Sequence, residues 1–440
     1  MIDTSNLKKV HFIGIASGFS SFCANYLINR GVKVTASEIN QESESAKEWI
    51  KRGVLYEGGH DSKYITDDLD LVVYPNGPIP GNPEYEETER KGIKSIILPK
   101  LVGEIGKDFK VIAIAGTHGK TTTSALTVWV LYKALGYLPN FIIGDNILGI
   151  NKSWNYNEDS EYLVIEACEY KRQFLDRAPA PYISVITNID LDHTDYYKDQ
   201  NDYNSAFSEF LSNTVDTIII DRNGSNVEEV LKNIKSNAKI MDCGEFREEC
   251  SCVDANLIGD YNKENILRAL CVGRVLGFEV DMEDFPGVAS RMEYLGKTKN
   301  GMPLYMDYAH NPKKIKSCLE GVKSCFPEKK ILLVWQPHSY ERTYTFKDQF
   351  AESISDLDVL YIPNIFSPGR ESESDRQLIS VDTFIDILQK RNPEKEIQNT
   401  VSFENTAKII GKERFDNTWV GILASAGDLK KILNFIDLSK

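Results

Sequence analysis

Residues 110–126 read KVIAIAGTHGKTTTSAL: an apolar run, a glycine-bearing loop and the start of a helix rich in threonine. A strand that breaks at glycines and passes directly into a helix has few uses. Its backbone N–H groups turn inward, and the helix N-terminus adds its dipole, so the loop suits phosphate oxygens. The common spacing for such a loop, G-x-x-x-x-G-K-[ST], would place its first glycine at Ile114, but the chain has Gly116 instead. The loop Gly116-Thr117-His118-Gly119-Lys120-Thr121 is therefore two residues short. It is either a broken loop or an intact loop of another lineage. In the second case Lys120 carries charge to the terminal phosphates, and Thr121 or Thr122 offers a hydroxyl to magnesium. A glycine-rich turn that merely contains a lysine is the bland alternative, and the strand before it and the helix after it argue against that.

The rest of the 440 residues repeats the alternation of short apolar runs with helical stretches, which predicts an α/β fold with mainly parallel sheets. The run KKVHFIGIA, a helix and VKVTASE make a βαβ opening; DLVVYPN is a further strand. A second group follows with KVIAIAG, EYLVIEA, YISVITNID and VDTIIID, and a third with PLYMDYA, KILLVWQP, VLYIPNI and WVGILAS. Boundaries near Asp108 and Met292 divide the chain into residues 1–108, 109–291 and 292–440. A net charge of -14 argues against nonspecific binding to a nucleic-acid backbone. No apolar run reaches membrane-spanning length, and the N-terminus is too polar for a secretion signal, so a cytoplasmic protein is expected. Its eight cysteines are then expected to be reduced thiols. Cys243, Cys250 and Cys252 cluster, but no fourth ligand follows at a zinc-finger spacing.

Four more stretches end apolar strands with reactive side chains. In VIEACEYKRQFL, Glu166 stands where a magnesium-binding carboxylate would flank the loop. TNIDLDHTDYY places His193 between acids, MDYAHNPKK carries Asp307 and His310, and VWQPHSYERTYTF carries His338 and Arg342. Each alone reads more simply as a polar turn. Yet His118, His193, His310 and His338, four of the six histidines, all follow apolar strands, where ligand sites of α/β proteins form.

Taken together, GTHGKTT, EACEY, TNIDLDH, DYAHNP, QPHSYERT and SAGD resemble, in order, the motifs of the Mur ligase superfamily, ATP-dependent amide ligases of peptidoglycan stem-peptide synthesis. The resemblance covers most of the chain from residue 111 onward and is nearest to the alanine-adding branch. Phe207 in YNSAFSEFL, aligned where several sister ligases carry a carbamoylated lysine, agrees with that branch. The resemblance implies three domains: an N-terminal Rossmann-like domain for a UDP-sugar, a central P-loop ATPase α/β domain, and a C-terminal Rossmann-like domain for the amino acid. It implies ATP and Mg2+ as cofactors and UDP-N-acetylmuramate and L-alanine as substrates. A monomer or weak homodimer is expected, and the charge and the short apolar runs point to no nucleic-acid or membrane partner.

By the same resemblance, Gly116, Thr117, His118, Gly119, Lys120, Thr121 and Thr122 would cradle ATP. Asn262 or Asn265 would meet its base, Arg291 and Asp307 would contact the nucleotide, and His310, placed with the ATP site, would with His338 and Arg342 face the amino acid or the new phosphate. Thr121 and Glu166 would bind one magnesium and His193 a second. Lys120, His193, His338 and Arg342 would serve the reaction, with His193 and His338 as candidates for the base that frees the amine. Gly14, Ile15, Ser17, Gly18 and Ser37 would hold the UDP-sugar.

The chain departs from the family pattern in three places. The N-terminal loop resembles G-I-G-G-x-G-M-S but reads GIASGFSS, so Ala16, Ser17 and Phe19 stand where glycines are expected. The segment before GDYNKENIL is short for the family, and PGVASRMEYLG holds one arginine where two basic residues are common. Two other readings stay open: a Mur-type ligase with a different acceptor or a peptide donor, and a non-catalytic nucleotide-binding homologue. A plain NTP-dependent kinase leaves DYAHNP and QPHSYERT without a role.

Overall fold

The computed structural model describes residues 4–77, 79–250, 257–368 and 371–439. The chain forms two compact units. The first comprises Met1–Ala255 with Glu264–Pro286, the second Asn256–Lys263 with Gly287–Lys440.

The first unit contains two sheets. Strands β1 (Lys9–Ile13), β2 (Lys33–Ser37), β3 (Leu71–Tyr74) and β4 (Ser95–Ile97) form an all-parallel sheet in the order β2-β1-β3-β4. The larger sheet is built from β5 (Lys110–Ala115), β6 (Asn140–Ile147), β7 (Lys152–Asn155), β8 (Tyr162–Glu166), β9 (Ile183–Ile186), β10 (Thr217–Ile220) and β11 (Lys239–Asp242). Its order is β11-β10-β9-β5-β8-β6-β7, parallel except for the edge strand β7. β5, β8 and β9 are apolar along their length because helices cover both faces of a parallel sheet. The helix Lys120–Leu135 is buried from Thr121 through Leu131, as expected of a helix enclosed by its own unit.

One apolar core runs from Val10 and Phe12 to Ile218 and Ile220, so the two sheets share a single interior. Gly103 in the helix Leu98–Gly106 shows how close the packing is. A Cβ there would lie 2.1 Å from the Asp176 carbonyl oxygen, in the helix Gln173–Arg177. The smaller sheet also buries a charge. Glu84 is fully buried, accepts from the Ser37 hydroxyl at 2.6 Å and lies 3.2 Å from His11 Nε2. Burial alone would raise its pKa, but His11, His60 and Ser37 outweigh that and hold it at about 2, against an ordinary 4.5.

The second unit is one sheet of β12 (Glu293–Thr298), β13 (Pro303–Asp307), β14 (Lys330–Gln336), β15 (Val359–Ile362), β16 (Glu396–Asn399), β17 (Trp419–Ser425) and β18 (Leu438–Ser439). The order is β16-β15-β14-β17-β13-β12-β18, parallel from β16 to β13 and antiparallel at β12 and β18. Apolar clusters on both faces seal it. Among the described residues no helix is long and apolar enough to cross a membrane.

Two outcomes follow from this packing. Gly103→Ala should lower stability by about 1–3 kcal/mol through overpacking; a thermal midpoint equal to wild type would contradict the close approach. The depressed Glu84 pKa means that its contribution is complete above pH 4.5 and is lost as pH falls towards 2. Glu84→Gln should therefore flatten the acid limb of a urea-midpoint-against-pH curve, and an unchanged slope there would contradict the assignment.

Candidate active site

The short loop is held by its glycines. Gly116 has φ +135°, and a Cβ on it would lie 2.0 Å from Thr187 Oγ1 and 2.9 Å from the Asn188 carbonyl. Gly119, φ +81°, opens the helix Lys120–Leu135 and would collide with Asn265 Oδ1 at 2.5 Å. Neither position accepts a side chain. Between them, Thr117 N–H donates to the Asn188 carbonyl at 3.1 Å, and its hydroxyl donates to the Asp190 carbonyl at 2.7 Å. His118 and Asn188 exchange two bonds, His118 N–H to Asn188 Oδ1 at 2.9 Å and Asn188 Nδ2 to the His118 carbonyl at 3.0 Å. Thr122 is buried in the first helical turn, and Asn265 accepts from the Thr123 hydroxyl at 3.1 Å. Missing two residues, the loop is intact: it is stitched to the segment after β9.

Lys120 folds back over this loop. Its ammonium donates to the carbonyls of Gly116 and Thr117 and pairs with Glu169 at 2.9 Å. Glu169 is fully buried. Burial pushes its pKa up, but the charge of Lys120 and hydrogen bonds from His193 and Lys120 prevail and hold it at about 2. His193 Nε2 lies 3.6 Å from the same carboxylate, and its ring packs on Tyr170 at 4.7 Å. His193 has φ 54°, a left-handed conformation uncommon outside glycine that clusters at functional sites. Glu169 was not among the expected site residues. It lies in the EACEY stretch that was read only through Glu166.

Glu166 ends β8 and accepts from Gly144 N–H at 2.7 Å. Where Gly144 lacks a Cβ, one point lies 2.6 and 3.0 Å from the two Glu166 oxygens and 2.8 Å from Thr121 Oγ1. A carboxylate and a hydroxyl thus face a small oxygen-lined space, a donor set that fits magnesium with phosphate oxygens completing its shell. Among the described residues no three His, Cys, Asp or Glu side chains converge on a metal position. Cys243 is buried, while Cys252 and the Cys250 side chain lie outside the described residues. Phe207 is core, packed on Phe174 and Tyr203 at 5.4 and 5.2 Å.

The N-terminal loop is arranged differently. Gly14 has φ +89°, Ser17 caps the helix Gly18–Asn29 through Ser20 N–H, and the bare face of Gly18 is taken up by Trp154, 3.2 Å from where a Cβ would be. Ile15 and Ala16 N–H both point to the Glu38 carboxylate, at 3.3 and 3.2 Å. Ser37 is bound into the Glu84 cluster, with His60 Nδ1 2.7 Å from its hydroxyl.

In the second unit, Asp307 ends β13 and accepts from Met292 and Ala309 N–H at 3.0 and 2.8 Å. Desolvation raises its pKa against the pull of Arg291. Arg291 stacks on Tyr308 at 4.7 Å, between the left-handed residues Ser290 and Met292. His310 Nδ1 meets the Tyr308 carbonyl at 2.8 Å, and burial pulls its pKa down to about 3, so the ring is neutral at neutral pH. Its ring is 6.4 Å from that of His338, which packs on Phe366 at 5.3 Å. Arg342 lies in the short helix Tyr340–Thr345, capped by Ser339 at φ 68°. Gln336, ahead of His338, is gripped by Asn364, Ser425 and Asp428 at 2.7–2.8 Å, which joins QPHSYERT to SAGD. Asn262 belongs to this unit and bonds the Ile258 carbonyl at 2.7 Å, whereas Asn265, on the same helix, belongs to the first. The first unit therefore gathers the loop, Glu166, His193 and Asn265; the second gathers Arg291, Asp307, His310, His338 and Arg342.

A phosphate loop with a strand-end carboxylate on a parallel sheet defines a nucleotide-using α/β enzyme. Three family models match in succession: the Mur ligase family catalytic domain at 9–110, the middle domain at 114–273 and the glutamate ligase domain at 290–425. A UDP-N-acetylmuramate–L-alanine ligase of Clostridium tetani is 33% identical over 97% of both chains. A crystal structure of the UDP-N-acetylmuramate–alanine ligase of Thermotoga maritima superposes with a TM-score of 0.73 at 21% identity, covering 97% of this chain and 98% of that one. A murein peptide ligase of Psychrobacter arcticus gives 0.65 at 21% identity, with 97% and 98% covered. The chain belongs to the Mur ligase family, the ATP-dependent ligases that join a carboxylate to an amine.

Lys120→Ala is expected to lower ATP-dependent phosphate release by about 10²–10³-fold, the scale for removing one preorganised stabilising donor. Turnover at the wild-type rate would remove this loop from the reaction.

Proposed function

We propose that this protein joins L-alanine to the carboxylate of UDP-N-acetylmuramate with ATP, a cytoplasmic step in peptidoglycan precursor synthesis. The observation that carries the reading is the end-to-end likeness to the clostridial ligase, over 97% of each chain. In this reading residues 1–108 receive the UDP-sugar, 109–291 ATP, and 292–440 the amino acid.

A carboxylate is a poor acyl donor because oxide would have to leave. Its oxygen therefore attacks the γ-phosphorus of ATP, ADP departs, and an acyl phosphate forms. The neutral amine of L-alanine then attacks the acyl carbon, inorganic phosphate leaves and the amine gives up a proton. Lys120 neutralises charge on the transferring phosphoryl group, where catalysis is mostly positioning and cation placement. The loop amides of residues 116–121 hold the phosphates in place. Glu169 fixes Lys120 and His193 from below. Magnesium, held by Thr121 and Glu166 with His193 near a second ion, would supply further positive charge. Asn262 or Asn265 faces the base of ATP. Arg291, Asp307, His310, His338 and Arg342 serve the nucleotide, the amino acid or the departing phosphate, with His193 or His338 accepting the proton.

Purified protein with ATP and magnesium should release phosphate only when UDP-N-acetylmuramate and L-alanine are both present, with a product of matching mass. Release with a different amine or with a peptide instead would move the substrate assignment. Absence of release with every pairing, while ATP still binds, would leave a nucleotide-binding homologue.

A further inference from the structure

One of the departures in the first unit touches a cation from a distant part of the chain. Phe19 stands in the N-terminal loop where the resemblance expects a glycine, and the Arg177 guanidinium lies over its ring at 4.3 Å. Arg177 ends the helix Gln173–Arg177, and its Nη2 donates to Gln173 Oε1 at 2.7 Å. Its Nε is shut off from solvent and has no partner. Glu166 and Glu169 lie within electrostatic reach, yet among the described residues no carboxylate pairs with Arg177. A partly buried guanidinium with no paired carboxylate is costly to keep unless an anion arrives to meet it.

The loop beside it lacks the means to bind such an anion alone. A Rossmann-type loop takes a diphosphate on its bare backbone amides. Here the Ile15 and Ala16 amides are occupied by Glu38, Ser17 is spent on the helix cap, and Gly18 is covered by Trp154. A carboxylate already fills the concavity, so a second anion needs a cation at the rim. Phe19 sits in the first turn of the helix Gly18–Asn29 and places Arg177 at that helix's N-terminal end, the end that favours phosphate.

We propose that Arg177, held on the Phe19 ring, receives the diphosphate of the UDP-sugar and replaces the glycine-loop amides in that task. This rests on the reading above that the carboxylate substrate is a UDP-sugar. The guanidinium sits over the Phe19 ring, and its planar fork of donors suits phosphate oxygens in a way an ammonium cannot copy.

The test is calorimetric binding of UDP, UDP-N-acetylglucosamine and UDP-N-acetylmuramate, without ATP, to the full chain. Arg177→Ala should weaken all three by about ten-fold or more, as loss of a charged hydrogen bond does, and leave ATP affinity as in wild type. Arg177→Lys should recover part of the loss. Phe19→Leu, which keeps bulk but removes the ring, should weaken the same three ligands. Wild-type affinity in Arg177→Ala would overturn the proposal. So would a loss confined to UDP-N-acetylmuramate, which would place Arg177 on the carboxylate, or an equal loss of ATP binding, which would make its role structural. Wild-type protein that binds no UDP compound yet releases phosphate with another donor would instead overturn the substrate reading itself.

Discussion

Glu169 is a carboxylate with no access to solvent, directly beneath a phosphate loop. An isolated charge there would not survive desolvation. Lys120 makes it tenable, and the consequences spread outward. The lysine has to lean in to reach Glu169 at 2.9 Å, so its ammonium also spans the carbonyls of Gly116 and Thr117. The loop is thereby closed on its own cation. His193, 3.6 Å from the same carboxylate, faces the same negative charge. One buried carboxylate, three residues past the end of β8, thus positions both Lys120 and His193.

The loop's shortness has a physical reason as well. Gly116 at φ +135° brings the backbone against Thr187 and Asn188, too close for any side chain. Longer loops of this kind arch over the phosphates; this one is laced to the next strand's exit by Thr117, His118 and Asn188. The sequence carried that much in plain view, because the glycines, the lysine and the flanking apolar strand are local features. The buried parallel strands were legible for the same reason, as continuous apolar runs. β4, β6, β7, β11, β12, β16 and β18 were not. β6 runs from NFII into the polar GDNI, and the others are short or at sheet edges, where one face meets water and the pattern thins. Glu169 was hidden differently. Its neighbours in EACEY gave no sign that the chain turns sharply there, with Lys171 and Arg172 both left-handed, and folds the side chain inward.

The second unit obeys a related logic at the ends of β13 and β14. Asp307 is fixed by two backbone N–H groups rather than by a salt bridge, so its orientation does not depend on a mobile partner. Gln336 is held by three side chains from β14's neighbours and ties the turn carrying His338 to the SAGD segment. Motifs far apart in sequence had looked like separate polar turns. Their meaning is in the sheet order, which sets β17 between β13 and β14 and so brings the SAGD turn beside the other two.

The N-terminal loop is where reading by pattern breaks down most. A missing glycine looks like a lost site when the backbone amide is taken as the only anion binder. The amide matters, however, only for the positive charge it exposes, and a side chain can supply that from elsewhere. Ser17 is used by the helix cap, and Glu38 reaches back to take up the Ile15 and Ala16 amides. The same contact places a negative charge in the concavity and so makes a nearby cation necessary. Phe19 and Arg177, 158 positions apart in sequence and 4.3 Å apart in space, satisfy that need together. Ala16, Ser17 and Phe19 taken alone read as damage; with Arg177 over the Phe19 ring they make a different solution to the same electrostatic problem.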